Sequence, residues 1–112
     1  MQLPNAAAAV VPAAKVRDYL LSLEHPVGRA KARFFAALGY RQTEWLQLQA
    51  ALLAHGATGE AATVPSPYGQ KYQVRGILQG PNGRRAGVVT VWMVASGETA
   101  PRLVTAFPGE FP

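Results

Sequence analysis

The sequence predicts an α+β fold, with about three N-terminal helices packed on an antiparallel sheet of about four strands. Two contrasts carry that prediction. Residues before about position 60 are rich in Ala and Leu, which favour helices, whereas those after it are rich in Val, Thr, aromatics and Gly. Within the second half, Asn82-Gly83 separates two apolar segments, a strong short-range hairpin signal. The 112 residues are 49% apolar and 15% charged, a composition that folds rather than staying disordered. No repeat or linker interrupts the chain, so one domain is expected over residues 1–112, helical over about 12–55 and sheet over about 60–107.

The first helix is expected from Pro12, which suits an opening turn, to about Leu23, with Val16, Tyr19, Leu20 and Leu23 on one stripe. The second opens with Pro26 after His25 and ends at Leu38, with Gly39 as its cap. Steps of about 100° put Val27, Ala30, Phe34, Ala37 and Leu38 on one face of it, and Lys31 falls inside that stripe. A third helix runs from Thr43 as N-cap to His55, before Gly56, with Trp45, Leu48 and Leu52 inward.

Strand signals begin after Gly59. Glu60 to Val64 forms a short strand, and Gln70 to Gln79 alternates, with Tyr72, Val74 and Leu78 on one face and Lys71, Gln73 and Arg75 on the other. The turn Gly80-Pro81-Asn82-Gly83 joins it to Arg85–Ala95, whose Val88, Val89, Val91, Trp92 and Val94 are too continuous for a strand with one wet face. That strand is therefore central. A last strand covers Pro101 to Phe107, and Pro108 to Pro112 is a tail or edge segment.

Composition also limits the chemistry. With no Cys, disulfides, iron–sulfur clusters, thiolate zinc sites and a thiol nucleophile are excluded. Two His and six Asp plus Glu, unclustered, leave too few ligands for a carboxylate cage, so neither metal nor cofactor is expected. No P-loop, GxGxxG, GxSxG or HExxH occurs. No apolar run approaches the roughly 18 residues of a membrane span, and the Ala-rich start lacks the basic region of a signal peptide, which points to the cytoplasm. Eleven Lys plus Arg against six acids give a net charge of +5, which favours an anionic partner, nucleic acid first.

Particular residues sharpen that expectation. Lys31 in its apolar stripe must snorkel to an edge, find a buried partner or serve a site where its proton affinity shifts. His25 precedes a helix N-terminus, where free N–H groups cradle anions and Gly28 lets one approach closely. It serves either as a general acid or base, or as a hydrogen-bond partner of a loop carbonyl. His55, at a helix end, reads as a dipole partner. Lys71 and Arg75, with Thr90 and Thr105 on neighbouring strands, make a cationic surface for a phosphodiester if they project from one side; otherwise they are a solvated sheet face. Tyr68 either offers an exposed ring for a base or anchors its strand in the core. Arg84 and Arg85 flank the hairpin turn as surface charges.

Together, the segments His25–Phe35 (HPVGRAKARFF), Tyr68–Tyr72 (YGQKY), Thr90–Trp92 (TVW) and Pro101–Pro108 (PRLVTAFP) resemble a family of small bacterial domains of unknown function. Those domains occur alone and as C-terminal modules of polymorphic-toxin-like proteins. The resemblance extends from Leu3 to Pro108. In layout, helices before an antiparallel sheet with His and Lys on a helix and Thr on the last strands, the chain also looks like the ribonuclease-toxin superfamily of barnase, EndoU, colicin D and RelE. That likeness implies metal-independent RNA cleavage by attack of a 2′-hydroxyl on the adjacent phosphate. His25, Lys31, Lys71 and Thr105 would form the catalytic set, and Gly28, Arg75, Tyr68 and Thr90 would bind substrate. The implied partners are RNA and an acidic antitoxin or immunity protein. The competing expectations are a noncatalytic basic binding module, with salt-dependent binding and no turnover, an ADP-ribosylating toxin, and a purely structural domain.

Overall fold

The computed structural model describes residues 1–109 and bears out the α+β class. The sheet has strands β1 (Glu60–Val64), β2 (Gly69–Gln79), β3 (Arg85–Ala95) and β4 (Arg102–Pro108), all antiparallel, in the order β1-β2-β3-β4. Period-2 patterning and turn chemistry are local signals, and they placed these strands within one residue at each end. β3 is interior, as its continuous apolar run requires. Pro108 closes β4 rather than opening a tail, and the rest of the expected tail, 110–112, lies outside the described residues.

The helices cover one face. On it stand Tyr72, Val74 and Leu78 of β2, with Val88, Thr90 and Trp92 of β3, all buried. Lys71, Gln73, Arg75, Val89, Val91 and Met93 lie on the opposite, outer face. β4 carries a bulge: Val91 pairs with Thr105 but Trp92 with Leu103, so Val104 is the extra residue. Val10 bonds to the free side of β4, its N–H to Pro101 O at 2.8 Å and its carbonyl to Leu103 N at 2.9 Å, shielding part of that edge.

The helical boundaries depart from expectation in informative ways. The first helix is one α-helical turn, α1 (Ala13–Lys15), which widens into a π-helical turn over Val16–Leu20, where Leu21 N bonds back five residues to Val16 O at 2.9 Å. The widening turns Val16, Leu20 and Leu21 into the core and leaves Leu23, expected to be buried, 61% exposed. Helix α2 (Arg29–Ala37) starts three residues after Pro26. Its buried side is Gly28, Ala32, Phe35 and Leu38, so Val27 and Ala30 face outward and Lys31 lies on the inner side. Its C-terminus is a Schellman motif: Gly39 takes φ +97°, its N–H bonds to Ala36 O, and Tyr40 N–H bonds to Phe35 O.

Helix α3 (Trp45–Thr58) follows a 3₁₀ turn at Gln42–Glu44, and Thr43 makes no capping bond. It runs through Gly56 instead of ending before it. A Cβ at Gly56 would lie 2.5 Å from the Trp92 ring, so the glycine serves close helix–sheet packing, not a cap. His55, one residue earlier on the same buried stripe as Leu48 and Leu52, is tied into the sheet rather than interacting with a helix end. Its Nε2–H donates to Val88 O at 2.9 Å and Gly76 O at 3.3 Å, and its Nδ1 accepts from Thr90 Oγ1 at 3.0 Å. Trp92 Nε1–H donates to the same hydroxyl at 2.8 Å. No helix among the described residues is long and apolar enough to cross a membrane.

Candidate active site

His25 and Lys31 converge on a residue that the sequence assigned to the core, Tyr19. Lys31 Nζ donates to the Tyr19 hydroxyl at 2.5 Å and lies 5.0 Å from the ring centroid. The same hydroxyl stands 3.4 Å from Thr105 Oγ1 on the bulged strand. The His25 ring packs edge-on against Tyr19, centroids 5.0 Å apart. Lys15, one helical turn earlier, places its ammonium 5.7 Å from the same ring.

The local fold explains each placement. The π turn carries Tyr19 to the β4 edge, and such widened turns recur at functional sites. Gly28 lets α2 approach, since a Cβ there would fall 2.2 Å from Tyr19 O. His25 Nδ1 accepts the N–H groups of Val27 and Gly28 at 3.1 and 3.0 Å, so its imidazole closes the turn that leads into α2. The anion cradle expected at that helix start is therefore filled by the histidine itself. A nitrogen accepting two N–H bonds carries no proton, which leaves the ring proton on Nε2.

Electrostatics set the phenol apart. Burial raises the Tyr19 proton affinity, but the hydrogen bonds of Lys31 and Thr105 and the charges of Lys31 and Lys15 outweigh it. The group is thus held below its ordinary value of 10.0. Tyr19, His25 and Thr105 line an open cleft of about 1060 Å³ with Lys15, Met93 and Arg102. Asp18 is also on its wall, but its carboxylate accepts from Arg17 Nε and Nη2, each at 2.9 Å. Among the described residues, no three His, Asp or Glu side chains come together as a metal site.

Comparison with known proteins bears on the family and the fold. A domain of unknown function, DUF6883, matches residues 2–110. The chain belongs to that family. No curated protein matches the sequence. The fold is shared with a chain of a contact-dependent growth inhibition toxin–immunity protein complex from Klebsiella pneumoniae 342, at a TM-score of 0.71 and 20% identity, covering 95% of this chain and 97% of that one.

For this DUF6883 domain, the remaining sequence candidates divide. Lys31 bonds to the Tyr19 hydroxyl and does not itself line the cleft. Lys71 and Arg75 stand on the outer face as expected, but Thr90 projects the opposite way and is fully buried under Trp92 and His55, so it cannot share a surface with them. Tyr68 is 78% exposed, which resolves its alternatives in favour of an open ring. Sequence reasoning missed Tyr19, Lys15, Met93 and Arg102. One signal was available for Tyr19: a phenol in an apolar stripe needs a polar partner, as does a lysine in the next stripe, and here they satisfy each other.

Proposed function

We propose that this DUF6883 domain is a metal-independent endoribonuclease of the bacterial toxin type. The observation that carries the reading is the Lys31–Tyr19–Thr105 chain, flanked by His25 and opening into a cleft walled by Lys15 and Arg102. A phenol with a lowered proton affinity suits general base catalysis, and cations beside it suit charge gathering on a phosphate. In the proposed step, ionised Tyr19 takes the proton of a ribose 2′-hydroxyl as its oxygen bonds to the adjacent phosphorus. The bond from phosphorus to the 5′ oxygen breaks, water supplies that oxygen with a proton, and a 2′,3′-cyclic phosphate remains. Lys31 stabilises the phenolate and Thr105 orients it. His25 donates an Nε2 hydrogen bond to a phosphoryl oxygen; with Nδ1 engaged in the turn before α2, donor rather than base is the role open to it.

The shared fold with a chain of a toxin–immunity complex supports the toxin setting. An acidic immunity-type partner fits the cationic cleft. The test is incubation of the purified protein with total RNA and tRNA in excess EDTA, beside Tyr19→Phe, Lys31→Met and His25→Ala. Cleavage to cyclic-phosphate ends that Tyr19→Phe and Lys31→Met lose is the expected result. Full cleavage by all three variants sinks the assignment, and intact RNA bound in a salt-dependent way points to the noncatalytic binding module instead.

A further inference from the structure

The cleft continues past the edge of β4. Met93 and Arg102, both in its wall, also belong to the outer sheet face, where Lys71 is opposite Met93 and Met93 opposite Arg102. A cross-strand row of cation, thioether and cation results, spanning about 10 Å at ordinary strand spacing. Tyr68 lies in the turn that enters β2, three residues before Lys71 in the chain. Ser66 ties that turn to the row: its hydroxyl accepts Tyr68 N–H at 3.2 Å and lies 4.0 Å from Met93 Sδ. At the next residue, Gly69 takes φ +137° and packs so close that a Cβ would fall 2.4 Å from Val94 O. The exposed ring is thus carried on backbone held against β3.

We propose that Arg102, Met93, Lys71 and Tyr68 form a track for single-stranded RNA, leading away from the cleft across the outer face with a base stacked on Tyr68. The inference rests on the nuclease reading and adds the form of its substrate. Cations along a groove follow a phosphate backbone without regard to sequence, and an aromatic ring open to solvent stacks an unpaired base. Bases inside a duplex are already stacked on one another, so the ring selects single strands, loops or ends.

The test uses fluorescence anisotropy with a labelled single-stranded oligoribonucleotide, 2′-O-methylated throughout so that it cannot be cleaved. Tyr68→Ala is expected to weaken binding roughly 10- to 100-fold, whereas Tyr68→Phe keeps it. Lys71→Ala lowers the slope of log affinity against log salt by about 0.7. Excess hairpin-free duplex RNA is expected to compete poorly. Binding unchanged in Tyr68→Ala and Lys71→Ala, or duplex competing as well as single strand, overturns the track. Cleavage of unmodified RNA by the wild type is read separately. Cleavage with no effect of either variant removes the track and keeps the nuclease; Tyr68-dependent binding without cleavage does the reverse; neither binding nor cleavage removes both.

Discussion

The two histidines of this chain sit in networks built from the same parts, an imidazole, a threonine hydroxyl and an aromatic ring. Around His55 the network is closed: Trp92 donates to Thr90, Thr90 to Nδ1, and Nε2 to backbone carbonyls, with all three side chains buried. Around His25 it is open, with one nitrogen spent on the turn before α2 and the ring edge facing Tyr19 at a cleft. A network in which every donor and acceptor is used internally fixes the packing of helix on sheet. One with capacity left over and water at its door can act on something else.

The largest expected effect falls on the open network. Tyr19→Phe should cut RNA cleavage about 10²- to 10⁴-fold while melting temperature barely moves, because the ring packing survives and only the hydroxyl is lost. If Tyr19 is the base, the wild-type rate climbs with pH and levels off below the ordinary phenol range, a limb absent from Tyr19→Phe. Thr90→Val makes the opposite break: it keeps shape but orphans the Trp92 N–H and His55 Nδ1, costing on the order of 3 kcal/mol in urea unfolding. Activity per folded molecule should be unchanged.

A pH series sharpens the contrast further. Burial depresses the His55 proton affinity below its ordinary 6.5, and the bonds to Val88 and Gly76 offset this only in part. The unfolded chain then takes up the proton first. Stability present above about pH 6.5 should be lost as pH falls toward the lower folded value, by up to about 1.4 kcal/mol per unit. Calorimetry between pH 8 and 5 would show this slope in the wild type and its loss in a His55→Gln variant. The smallest effect belongs to Leu23→Ala, within about 0.5 kcal/mol, since that side chain is exposed although it continues the periodic stripe.

What was legible in the sequence follows the range of the signals. The strands were readable because alternation and the Gly-rich turns are properties of neighbouring residues. Lys31 declared itself as a cation in an apolar stripe, and His25 and Gly28 as a helix start. The π turn was hidden because a bond five residues back leaves no mark in a 3.6-residue period. The late start of α2 was hidden because the His25 ring, not a hydroxyl or carboxylate, takes up the N–H groups of Val27 and Gly28 in the turn before it. The side of Thr90 stayed open in the sequence because the continuous Val run around it masks strand parity, and only its pairing with Val74 and Ala106 shows which way it points. Tyr19 needed three separate segments brought together.

The hairpin between β2 and β3 has a consequence for how such a protein can vary. Its tip looks like a free end, the kind of place where insertions are ordinarily tolerated. Yet Asn82 reaches back to α2, its side chain donating to Ala37 O at 3.0 Å and its backbone N–H to Leu38 O at 3.3 Å, and Gly80 admits Leu38 O where a Cβ would stand 1.9 Å away. With His25 at the other end, the helix that carries Lys31 is a beam pinned at both supports. Lengthening this loop would unpin one of them, and the ammonium would lose its alignment on Tyr19 from more than a full helix turn away.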